Sequence, residues 1–140
     1  MDNRHEGGCV CSGVRYRTAG PPRRVSACAC EWCQKRTGSA LGISVYFDIA
    51  AVAFTSGALH HYRLKSDAGR WIETDFCPTC GTTVGWRLEF LPDWQGIAGG
   101  TFDRPTFWYD LERFVFARTK PAWLTLPDGI EVCPAMAPPP

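Results

Sequence analysis

The chain has no long apolar run. Nothing in it approaches the roughly 18 consecutive apolar residues that a membrane helix requires. Its start, Met1-Asp2-Asn3-Arg4-His5-Glu6, lacks the apolar stretch of a signal peptide. Charge of one sign is not in excess either: Lys and Arg total 15 and Asp and Glu 14, a net charge of +1. That balance argues against a general nucleic-acid or membrane-surface binder, which concentrates positive charge. Strong helix signals are few, and there is no internal repeat. The expected compartment is therefore the cytoplasm, with neither nucleic acid nor membrane as a partner. The length of 140 residues suits one domain. We place it at 1–133, followed by a Pro- and Ala-rich tail at 134–140 that should fray. The oligomeric state is left open.

Apolar residues make up 45% of the chain, and six Trp and eight Phe make the expected core bulky. Alternation and β-branched or aromatic enrichment predict strands at Val14–Arg17, Leu41–Phe47, Ala51–Thr55, Ala58–Leu64, Trp71–Phe76 and Thr83–Leu88. Turn signals separate them at Gly20-Pro21-Pro22, Ser56-Gly57 and Ser66-Asp67-Ala68-Gly69. Phe107, Leu111, Phe114 and Val115 could form a helical face, but the aromatic enrichment favours a strand over Arg113–Ala117. The fold class is mainly β.

Seven of the eight cysteines fall into three clusters: Cys9-Val10-Cys11, then Cys28-Ala29-Cys30-Glu31-Trp32-Cys33, then Cys77-Pro78-Thr79-Cys80. In a reducing compartment such clusters hold metal rather than disulfides. The CxxC spacing lets a tight turn aim two sulfurs at one ion while the turn's amides offset their charge, and Gly81 supplies the permissive exit. A closed zinc site takes four ligands. The simplest partition joins Cys9, Cys11, Cys77 and Cys80 around a structural zinc. It leaves Cys28, Cys30 and Cys33 around a second zinc with one position open, which is the pattern of a catalytic site.

Blander readings exist for each piece. The triplet could be spare or redox-active thiols, or could be closed by Cys133 or a histidine and so be purely structural. Cys133, between Val132 and Pro134, otherwise reads as a small buried hydrophobe. His60 and His61 lie in a predicted strand and face opposite ways, so at most one could reach the triplet. His5 belongs to a flexible start. Lys35 and Arg36 read as a solvated turn, Trp32 as a cover or lining for a metal, and Asp103 as a turn cap. The run Phe107-Trp108-Tyr109 could be core or interface.

The order of the clusters, with Gly8-Cys9-Val10-Cys11-Ser12-Gly13, Cys28-Ala29-Cys30-Glu31-Trp32-Cys33-Gln34-Lys35-Arg36-Thr37-Gly38-Ser39, Phe76-Cys77-Pro78-Thr79-Cys80-Gly81 and Gly100-Thr101-Phe102-Asp103, resembles the glutathione-dependent formaldehyde-activating enzyme family. That family shares its domain with centromere protein V. The resemblance runs from about Gly8 to about Trp123. It implies a β-tent-type domain, a structural zinc on Cys9, Cys11, Cys77 and Cys80, and a catalytic zinc on Cys28, Cys30 and Cys33. It also implies a carbon–sulfur lyase chemistry, the condensation of glutathione with formaldehyde. One residue departs from the pattern: Ala29 stands where members often have histidine, which puts a proton-transfer or supporting role of that imidazole in doubt.

A three-thiolate zinc is a weaker Lewis acid than one held by neutral histidines, but it is thiophilic, so a substrate thiol is its natural fourth ligand. Glutathione brings two carboxylates and an ammonium. Lys35 and Arg36 are the first candidates to meet them, with Thr37 and Ser39 as hydrogen-bond donors. The contrasting expectations are a zinc-stabilised β-rich binding module without catalysis, and metal storage or redox sensing at the triplet.

Overall fold

The computed structural model describes residues 3–66 and 69–137. The chain is mainly β, with open sheets, and folds into two compact units. One comprises Met1–Arg23 and Val45–Trp108, the other Arg24–Ser44 and Tyr109–Pro140.

In the first unit, β1 (Arg4–Gly8) and β2 (Arg15–Ala19) form an antiparallel hairpin, with Gly8 opposite Arg15, and β2 also pairs with β5 (Val52–Ser56). A second sheet carries β4 (Gly42–Asp48), whose residues from Val45 onward belong to this unit. Beside it lie β9 (Leu91–Ala98), β8 (Thr83–Leu88), β7 (Trp71–Phe76) and β6 (His60–Lys65), in that order. The core is built from side chains that alternate inward along these strands, including Tyr16, Phe47, Val84, Trp86 and Ile97, all at 2% exposure or less. Tyr16 buries its ring completely because its hydroxyl has a partner, Thr101 Oγ1 at 2.8 Å.

In the second unit, β10 (Arg113–Val115) lies between β3 (Arg24–Cys28) and β11 (Glu131–Val132), parallel to both. Ala27, Ala29 and Phe114 form its buried centre, with Leu41, Leu111, Leu124 and Ile130 packed around them. The one α-helix among the described residues, α1 (Glu31–Thr37), starts at Cys30 and ends at Gly38, whose left-handed φ of 64° lets its N–H return to the Gln34 carbonyl.

The expected strands at Trp71–Phe76 and Thr83–Leu88 are found at those bounds, and the four before them shift by one or two residues at each end. The strand expected over Arg113–Ala117 stops at Val115, because Phe116 turns left-handed at φ 56° and a 3-10 turn follows over Ala117–Thr119. Strands β1, β3 and β9 carry no clear period in the sequence. The turn expected at Ser66–Gly69 includes Asp67 and Ala68, which lie outside the described residues, as do residues 138–140 of the tail. The tail's first residues are tied down: the Pro134 and Ala135 carbonyls accept from the Arg118 and Phe116 amides. No described helix is long and apolar enough to cross a membrane.

Candidate metal centres

Cys9 and Cys11 sit in the loop that closes the β1–β2 hairpin. The Cys9 amide donates to the Val14 carbonyl at 3.1 Å, and the Val14 amide donates to Cys9 Sγ at 3.2 Å. Gly8 is needed here, since a Cβ on it would lie 2.2 Å from the Val14 carbonyl oxygen. Cys77 and Cys80 occupy the connection between β7 and β8. The Gly81 amide turns back to the Cys77 carbonyl at 2.8 Å with φ at +78°, and the Cys77 amide donates to the Thr82 carbonyl. Thr82 Oγ1 joins the two loops, lying 3.2 Å from Cys80 Sγ and accepting from the Val10 amide.

The four sulfurs all lie within 4.8 Å of one another, with Cys9–Cys11 at 3.5 Å and Cys11–Cys77 at 3.7 Å. A tetrahedral zinc with sulfurs at about 2.3 Å sets them about 3.8 Å apart, so the donor set fits the ion. The ionisation pattern points the same way. Cys80 is drawn down to about 5 by the Thr82 hydroxyl and amide. Cys11 is pushed up to about 12: the Gly13 amide draws it down, but the sulfurs of Cys9, Cys80 and Cys77 outweigh that pull. Four sulfurs so close cannot all ionise without a cation to balance them, and ligation requires that they do.

The triplet belongs to the second unit. β3 delivers Cys28, which lies opposite Val115 of β10. Cys30 caps α1, its sulfur accepting from the Cys33 amide at 3.4 Å, and the helical turn carries Cys33 back to the same point. Their three sulfurs also lie within 4.8 Å of one another, and no fourth Cys, His, Asp or Glu donor joins them among the described residues. Cys133 does not; its sulfur faces Glu131 at 3.6 Å. Cys30 is drawn down to about 2, first by the Cys28 and Cys33 thiols and then by the Cys33 and Trp32 amides. Cys28 is pushed up to about 12, chiefly by Cys30, and Cys33 is pushed up by Cys28, Cys30 and burial. This set too is matched to a cation, with three protein donors among the described residues.

The candidate substrate groups around the triplet separate clearly. Lys35 is 77% exposed and pairs with Glu31 one turn back at 3.4 Å. Arg36 lies inward, its guanidinium 5.3 Å from the Trp32 ring centroid. A Cβ built on Gly42 would meet Arg36 Nη2 at 2.6 Å, Cys33 Cβ at 3.4 Å and Cys33 Sγ at 3.6 Å. Gly42 thus makes the space in which Arg36 lies beside Cys33, a role no spacing rule marks in the sequence. The Thr37 hydroxyl donates to the Cys33 carbonyl at 2.8 Å and accepts from the Ser39 amide, so it is used inside the helix end. Ser39 is exposed. Ala29 is fully buried in the apolar centre with Ala27 and Phe114; its amide bonds to Val115 and its carbonyl to Thr119 Oγ1. Its side chain is part of the core packing.

The chain is thus mainly β and carries a four-cysteine and a three-cysteine cluster, each of which could hold a metal ion. The chain belongs to the glutathione-dependent formaldehyde-activating enzyme family, whose sequence profile matches residues 4–116. Among solved structures it is similar to a protein of Rhodobacter sphaeroides, with a TM-score of 0.57 and 19% identity, covering 71% of this chain and 88% of that one. At that identity the likeness shows the fold. A search of curated proteins finds no significant match.

Proposed function

We propose that this chain is a zinc-dependent, carbon–sulfur lyase-type enzyme that forms or breaks the adduct of a thiol, glutathione, with a small aldehyde, formaldehyde. In this reading Cys9, Cys11, Cys77 and Cys80 hold a structural zinc, and Cys28, Cys30 and Cys33 hold the catalytic one. The observation that carries it is the convergence of three sulfurs with no fourth protein donor among the described residues. Family membership supports the substrate pair. When bound, zinc supplies a thiophilic Lewis acid that favours loss of a thiol proton near neutral pH.

The chain's own residues do the rest. Cys30, which caps α1, and Cys33 in its first turn would hold the zinc from the helix side. Arg36, beside Cys33 and against Trp32, offers a fork of donors to a substrate carboxylate. Lys35 and Ser39 are exposed nearby and add long-range attraction and a hydroxyl donor. Thr37 keeps the end of the helix in place through Cys33.

The test is exchange NMR of glutathione and formaldehyde with zinc-loaded protein, alongside Cys30→Ala and an enzyme-free control. Adduct exchange that accelerates in proportion to wild-type enzyme, and not to the variant, is the expected result. Equal rates in all three samples would leave a zinc-stabilised binding module instead.

A further inference from the structure

A second group of metal-type donors lies in the first unit, apart from the cysteines. On β6 and β7 the register puts His61 opposite Asp75 and Arg63 opposite Glu73. Glu73 and Asp75 are two apart on one strand and so share a face. His61 Nδ1 is 2.7 Å from Asp75 Oδ1 and 3.9 Å from Glu73 Oε1. An imidazole Nδ1 carries at most one proton and can serve one carboxylate. Here two carboxylates converge on it, and the three ligand atoms lie within 4.8 Å of one another. These are not loose surface acids: the Asp75 side chain is 5% exposed and that of Glu73 19%.

The outer oxygens are held in place from behind. Asp75 Oδ2 accepts from Gln95 Nε2 at 3.0 Å, and Gln95 is itself buried. Glu73 Oε2 is gripped by Arg63, at 3.0 Å from Nη2 and 3.1 Å from Nε. Each carboxylate therefore keeps one oxygen for the convergence point, the usual way supporting groups orient metal ligands. The donors line a cavity of about 290 Å³ together with Arg87 and apolar side chains such as Ile49 and Phe54, which leaves room for waters.

We propose that His61, Glu73 and Asp75 are the donor set of a further cation site, for a first-row divalent ion held by nitrogen and oxygen. One imidazole with two carboxylates suits borderline ions over the soft ones that thiolates select. Donors about 2.0–2.2 Å from such an ion stand roughly 2.8–3.6 Å apart, from octahedral to tetrahedral arrangements. The two spacings from His61 Nδ1, 2.7 and 3.9 Å, bracket that range, and the three ligand atoms lie within 4.8 Å of one another. Two carboxylates and a neutral imidazole balance the ion's charge. Arg87, opposite Glu73 on β8, and Arg63 on β6 are the cations that oppose it.

The test titrates protein loaded with two equivalents of zinc, enough for the cysteine clusters, with Co²⁺ and with Mn²⁺ and follows paramagnetic broadening of the ¹H–¹⁵N signals. Broadening should saturate at one ion per chain and centre on β6, β7 and the Gln95 side chain, without the near-ultraviolet charge-transfer band of thiolate-bound Co²⁺. Glu73→Gln and His61→Ala should each weaken it at least about 10-fold, since losing a ligand costs no less than losing a group that supports one, while Arg87→Gln should tighten it. The partly exposed His61→Ala is checked by its amide spectrum and zinc content, and if it misfolds, the near-isosteric Glu73→Gln decides. Broadening confined to the cysteine loops, or unchanged in Glu73→Gln, would overturn the proposal and leave His61–Asp75 as a cross-strand pair. The outcome is independent of the formaldehyde reading, which concerns the cysteine triplet.

Discussion

At the scale of single residues, Arg36 and Lys35 are neighbours with opposite surroundings. Arg36 lies against Trp32 and beside Cys33, whereas Lys35 reaches into solvent toward Glu31. Arg36→Ala should raise the KM for glutathione about 10–100-fold with kcat less affected, the loss expected for a hydrogen bond to a charged group. Lys35→Ala should raise KM by no more than about twofold, because the attraction of an exposed charge is largely screened. Steady-state kinetics on the two variants checks both. Gly42→Ala tests the same space from the other side: its Cβ must displace the end of Arg36, so KM should rise while zinc content holds. Ala29→His puts a bulky polar ring into the core of Ala27 and Phe114. It should cost about 1–3 kcal/mol in chemical denaturation without changing zinc stoichiometry. The cysteines and Gly81 were legible in the sequence because knuckle spacing is local. Gly42 was not, since its importance comes from Arg36 and Cys33, which only the fold brings against it.

At the scale of elements, the two loops of the four-cysteine cluster depend on backbone conformation. Gly81 has φ at +78° with open space around it, so Gly81→Ala adds strain and no clash. The expected cost is about 1–2 kcal/mol, read as a 5- to 30-fold weaker zinc affinity in competition with a chromophoric chelator. Arg15 of β2 and Asp103, beyond β9, form a two-pronged ion pair, with Nη1 to Oδ1 at 2.9 Å. The Arg15 guanidinium holds the Asp103 carboxyl below its usual range. A depressed carboxyl contributes stability above its unfolded value, about pH 4, and loses it as pH falls through the folded one. Wild type should therefore exceed Asp103→Asn by at most about 1 kcal/mol at neutral pH, since the pair is exposed. The gap should close under acid, as denaturation at stepped pH values would show. Strands β7 and β8 could be read from the sequence because large side chains mark them. β3 could not, as it buries small residues such as Ser26 and Ala27. Nor could β9, where Pro92, Asp93 and Gly96 mask a buried strand and the polar Gln95 is satisfied by Asp75 and the Trp86 and Gly96 carbonyls. α1 spans seven residues and owes its ends to Cys30 and Gly38 rather than to an apolar stripe.

At the scale of the whole molecule, cysteines that are 66 residues apart, Cys11 and Cys77, meet at 3.7 Å, and the triplet forms separately within the other unit. The mainly β class and both cysteine groupings followed from strand patterning and ligand counting. The division into two units did not, because residues 24–44 and 109–140 are distant in sequence and join through the parallel pairing of β3 with β10. In the proposed function one cluster is closed around its zinc and the other is left open to a substrate thiol. Zinc-edge X-ray absorption on the metal-loaded protein tests it most directly. With two equivalents of zinc per chain, both ions should be held by sulfur, at a mean of about 3.5 sulfurs per zinc with a light atom making up the balance, rising to about four sulfurs when glutathione is added. One zinc per chain, or four sulfurs per zinc before any thiol is present, would contradict it.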